Sequence, residues 1–140
     1  MKLEGVVLYY DKENGNGRIY TKECAGNMVE QFKQKEQPLF GELGQSESFD
    51  IKLSPSHIVK DVWIDEEDKS VKGTIEILET PKGKILEELL NVGCDMSITS
   101  RGLGTVNNET KEIEDYQLIS FDIIPTKESS TKGPIKITDL

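Results

Sequence analysis

Histidine is almost missing from this chain: His57 is the one imidazole among 140 residues. Any hydrolytic chemistry that needs a base titrating near neutrality must therefore use His57 or do without an imidazole. Cysteine is scarce as well. Cys24 and Cys94 fall in different predicted elements and neither belongs to a CxxC or Cys/His pair, which excludes the usual zinc frameworks and leaves two reduced thiols. No window reaches the roughly 18 to 20 apolar residues that cross a bilayer. The opening MKLEGVVLYY, interrupted by Glu4, is too brief and too acidic for a secretory signal. Positive charge is also in deficit: 17 Lys and Arg stand against 26 Asp and Glu, a formal net charge of −9. With acidic clusters such as Asp65 to Asp68 and no basic patch, nucleic acid is excluded as a direct ligand. The loop NGNGRIY lacks the spacing and the strand-to-helix junction of a phosphate-binding loop. No metal or cofactor is expected.

What is present suffices for a packed core. A chain of 140 residues and 15.7 kDa fits one domain, 1–140, without disulfide or metal support. LEGVVLYY reads as a strand, and Thr21 as the cap of an amphipathic helix through KECAGNMVEQFKQKEQ, with Met28, Val29 and Phe32 at helical spacing and Pro38 as its stop. Residues 38–57 carry Pro and Gly too often for a helix and read as short extended pieces. HIVKDVWID, with Ile58, Val62 and Ile64 alternating and Trp63 in the core, and VKGTIEILE, with Val71, Ile75 and Ile77 on one face, read as a β-hairpin. TPKGKILEELLNVG has a Thr80 cap, Pro81 in the first helical position, a stripe of Ile85, Leu86, Leu89 and Leu90, and Gly93 as terminator. Further strands are expected at DYQLISFDII and GPIKITDL, joined by a polar loop. Six or seven strands and two helices imply an α+β fold with a mainly antiparallel sheet or a small β-barrel.

The segment MSITSRGLG, residues 96–104, has no evident job in a packed core. Arg101 can pair with an acidic neighbour, and Gly102 and Gly104 permit tight backbone geometry. Together with NGRIYTKE, FGELGQ, SHIVKDVWID, ETPKGKILEELLNVG and YQLISFDII, it resembles in order and spacing the prohead core proteases of tailed bacteriophages. The resemblance covers residues 3–125. It implies the fold of serine endopeptidases that digest the internal scaffold and trim capsid proteins during head maturation, a fold similar to that of the herpesvirus assemblins. It also implies a setting in the prohead or virion head, with host cytoplasm as the place of assembly. Capsid or scaffold proteins would be the partners, self-association would be open to it, and neither nucleic acid nor membrane would be.

The resemblance carries catalytic roles to positions that have changed. The general-base histidine falls on Gln45, whose amide does not titrate in the working range. The attacking serine falls on Thr99, where the extra methyl restricts the rotamer and no N-terminal amine supplies a base. Ser100 keeps the second serine of the pair, and Asp122 matches the acidic orienting residue. Backbone N–H groups at Arg101 and Gly102 would form the oxyanion site. His57 could serve as a substitute base, with Ser56 or Ser100 as its partner, or be a hydrogen-bonded structural residue. If residues 98–101 are extended, Ser100 and Thr99 point to opposite faces. The preferred reading is a capsid-associated protein that has lost peptidase activity. The alternatives are an active maturation endopeptidase using Ser100 or Thr99 with His57, and a binding module unrelated to capsids.

Overall fold

The computed structural model describes residues 1–36, 38–44, 55–131 and 133–138. In chain order the elements are β1 (Lys2–Tyr9), α1 (Lys22–Gln34), β2 (Leu39–Gly41), β3 (His57–Asp65), β4 (Ser70–Ile77), α2 (Pro81–Asn91), β5 (Met96–Val106), β6 (Ile113–Pro125) and β7 (Lys136–Ile137), with a 3-10 turn at Thr126–Glu128 before β7. The strands form a five-stranded sheet in the order β2-β3-β4-β1-β7 and a separate β5-β6 ribbon. Every strand pairing between these elements is antiparallel. The α+β expectation holds, while the barrel option does not: among the described residues neither the five-stranded sheet nor the two-stranded ribbon closes on itself.

Local chemistry explains both helices. The Thr21 hydroxyl accepts from the Cys24 amide at 3.0 Å and the Thr80 hydroxyl from the Gly83 amide at 3.0 Å, each satisfying an amide that the first helical turn leaves without a partner. Met28, Val29 and Phe32 bury one face of α1. That helix ends at Gln34, before Pro38, because Lys35 already adopts an extended backbone and its N–H closes the last turn. In α2 only Gly83 and Leu86 are buried, Leu89 and Leu90 are half-buried, and Ile85 is exposed. The apolar stripe is thus narrower in contact than in sequence. Gly93, at φ +88°, ends the turn as expected.

The β3-β4 hairpin forms, but its alternation shifts. A bulge between Val59 and Asp61 changes the phase, so Val59 and Val62 enter the core while Ile58, Trp63 and Ile64 are only half-buried. Val71, Ile75 and Ile77 share the buried face of β4 as predicted. Both cysteines are free, Cys24 buried and Cys94 exposed.

The β5-β6 ribbon leaves the far edge of β6 in need of partners. Residues 42–44 cover part of it: the Ile123 amide donates to the Glu42 carbonyl at 3.0 Å and the Gly44 amide to the Ile123 carbonyl at 2.8 Å. Farther along, α1 takes over through one side chain. The Gln31 amide group donates to the Tyr116 carbonyl at 2.7 Å and accepts from the Leu118 amide at 2.8 Å, as a neighbouring strand would. Replacing Gln31 by Leu removes both bonds, so we expect a loss of about 2 kcal/mol in urea unfolding. Gln34→Leu, on the exposed side of the same helix, should stay within about 0.5 kcal/mol of the parent.

Candidate functional site

The predicted site residues converge on β5 and β6, with two exceptions. β5 keeps an uninterrupted register with β6 from Met96 to Arg101, placing Thr99 opposite Asp122, Ser100 opposite Phe121 and Arg101 opposite Ser120. Successive side chains therefore leave opposite faces, and the two hydroxyls at 99 and 100 do not share a line of attack. Gln45 lies outside the described residues. His57 belongs to the other sheet, at the start of β3.

On the Arg101 face the side chains form a buried ion network. The Arg101 guanidinium meets Asp122 at 2.9 Å and Glu42 at 3.0 Å, and also donates to the Ser120 hydroxyl at 3.2 Å. Asp122 accepts from the Ser120 hydroxyl at 3.0 Å and from the Glu42 backbone amide at 3.0 Å. Burial pushes the Asp122 carboxyl up, and the Glu42 amide, the guanidinium and Ser120 pull it back only in part. Asp122 is thus engaged by a cation and two neutral donors. In this arrangement it anchors Arg101 and orients no imidazole. Glu42 was not among the sequence candidates. Its signal was the FGEL motif, which marked resemblance without revealing that its carboxylate would meet an arginine 59 positions away.

On the other face, Ser100 faces two phenols. Burial raises the pKa of both Tyr20 and Tyr116, and the nearby Ser100 hydroxyl works against that rise. The buried Tyr116 hydroxyl has no hydrogen-bond partner among the described residues. The ring of Tyr116 packs edge to face on Tyr20, with centroids 5.9 Å apart. Gly102 makes room for this arrangement, since a Cβ there would collide with the Gln117 carbonyl and come within 2.5 Å of the Tyr116 phenol. A polar cavity of about 250 Å³ borders residues 99–102 and is walled on its other side by Arg18, Tyr20 and Ser130, among others.

His57 is fully buried and both ring nitrogens are engaged. Nδ1 lies 2.7 Å from the Ser56 hydroxyl and Nε2 lies 2.7 Å from the Phe121 carbonyl. A carbonyl oxygen can only accept, so Nε2 carries the proton and neutral Nδ1 accepts from Ser56. Of the two partners the sequence suggested, Ser56 is the one His57 meets. The bond to Phe121 requires Gly41, because a Cβ at that position would overlap both the ring nitrogen and the carbonyl. Burial lowers the His57 pKa from 6.5 to about 4, against a smaller opposing effect of the Phe121 bond.

Three comparisons place this geometry. The sequence matches the family described as prohead core protein serine protease over residues 1–127. The chain belongs to that family. Its fold is similar to the solved structure of the bacteriophage T4 capsid assembly protease, gp21, with a TM-score of 0.79 at 22% identity, covering 88% of this chain and 80% of that one. Among curated proteins no sequence match was found. No group of metal-ligating side chains occurs among the described residues, and no described helix is long and apolar enough to cross a membrane.

The lowered His57 pKa has a definite sign. Its folded value lies below its unfolded value, so the stabilisation is complete above pH 6.5 and is lost as pH falls toward 4. The shift corresponds to about 3 kcal/mol. Urea unfolding at pH 7 and pH 4 should show that loss in the parent chain beyond the fall seen in His57→Asn, whose side chain does not titrate.

Proposed function

We propose that this chain is a phage head protein that uses the prohead protease fold to bind capsid or scaffold proteins and does not cleave peptides. It acts in the prohead or head, after synthesis and assembly in the host cytoplasm. The observation that carries this reading is the sealed imidazole. A general base must have a nitrogen lone pair within reach of the attacking hydroxyl. In His57 one nitrogen is protonated and bound to Phe121, and the other faces Ser56. Reaching Ser100 or Thr99 would require breaking both bonds inside the core.

The remaining positions lean the same way. Gln45 supplies an amide with no titration in the physiological range, and Thr99 an internal secondary alcohol with no amine beside it. Asp122 is committed to Arg101. The Arg101, Asp122 and Glu42 network ties the residue just after β2 to β5 and β6, a role that needs no catalysis. Side-chain charge favours basic partner surfaces, given the net charge of −9.

Incubation with the cognate scaffold and capsid proteins, followed by intact mass and size-exclusion chromatography, tests the reading. Stable co-migration without any new fragment is expected, equally for the parent, Ser100→Ala and Thr99→Ala. Fragments that form with the parent and vanish with either variant would establish an active protease instead.

A further inference from the structure

We propose that the seam between β1 and β5 is a strand-addition site for an extended partner segment of β-branched, basic, β-branched pattern, held in this structure by the chain's own residues 133–138. The assignment stands whether or not the chain cleaves peptides. The tail lies along two strand edges at once. The Ile135 amide donates to the Met96 carbonyl of β5 at 2.9 Å, and the Thr138 amide donates to the Lys2 carbonyl of β1 at 2.9 Å. The Ser97 hydroxyl donates to the Gly133 carbonyl at 2.7 Å. Only two residue pairs are in β register, Leu3 with Ile137 and Glu4 with Lys136.

The recognition elements are explicit. Gly5 accommodates Ile135: a Cβ on Gly5 would stand 2.7 Å from the Ile135 side chain. Glu4 faces Lys136 across the strands, an opposite-charge pair of the kind that selects cross-strand partners. Ile137 faces Leu3 and, with Ile135, packs against the core. Backbone bonds thus give affinity while alternate pockets read Ile, Lys, Ile, as in other strand-addition modes. A covering strand with two registered pairs and two isolated amide bonds is held weakly compared with the β1-β4 pairing, which runs from Lys2 to Tyr9. A competing segment in trans has few bonds to displace, but must overcome the effective concentration that the tether gives the chain's own tail. The chain's acidic excess selects for the basic central residue.

The test uses the full chain, labelled with ¹⁵N, and the unlabelled peptide Gly-Pro-Ile-Lys-Ile-Thr at up to millimolar concentration. Saturable shifts of the Gly5 and Ser97 signals are expected, with loss of hydrogen-exchange protection at the chain's own Ile135 and Thr138 amides. The same peptide with Glu in place of Lys should bind about three- to tenfold more weakly. Gly5→Ala should abolish binding, and Ser97→Ala, which removes one hydroxyl contact without altering the backbone, should weaken it. Unchanged tail amides at the highest peptide concentration would overturn the proposal, as would equal binding of the Glu peptide. Concentration-dependent doubling of mass with no response to peptide would make a second copy the occupant and overturn it too.

Discussion

The hydrogen bond from His57 to the Phe121 carbonyl joins the two sheets at the centre of the molecule, and much of the surrounding structure serves it. Gly41 stays without a side chain so that the ring can approach. Ser56 fixes the far nitrogen, and full burial keeps the ring neutral. The bond also satisfies one more group on the outer edge of β6, whose other partners are residues 42–44 and the Gln31 side chain. A strand edge closed by three unlike devices is well suited to hold β6 in one position, and β6 in turn sets the register of β5 and of the family motif on it.

On the proposed reading, that arrangement lets a member of the prohead protease family keep its architecture without cleaving peptides. Arg101, Asp122, Ser120 and Glu42 form a largely buried network in which loss of Arg101 would leave the Asp122 carboxyl without its cation. Selection for folding alone would retain it. On the proposed non-cleaving reading, the residues free to drift are those whose only demand is chemical, and the resemblance assigns those positions to Thr99 and Gln45. Ser100 lies beside the half-buried Tyr20 and the buried Tyr116.

Much of this was legible in the sequence where the cause is local. The Thr21 and Thr80 caps, the Gly93 stop, the hairpin and the alternation along β4 follow from spacing and residue type. The opposite faces of Thr99 and Ser100 follow from strand geometry alone. The failures have non-local causes. The bulge at β3 shifts Val59 inward and is not marked by Gly or Pro. α1 stops before Pro38 because Lys35 turns extended. The meeting of Glu42 with Arg101 and of Gln31 with β6 depends on elements far apart in sequence. For His57 the sequence offers a structural role beside that of a base and Ser56 only as a partner of the base, and the decisive acceptor is a backbone carbonyl that no motif announces.

The most direct test of this account is a two-bond ¹H–¹⁵N spectrum of His57 recorded across a pH series. A neutral ring protonated on Nε2, with titration delayed to about pH 4, is the predicted result. Titration near the ordinary value of 6.5, with Nδ1 protonated or a contact to the Ser100 or Thr99 hydroxyl, would contradict it and return His57 to the role of a base.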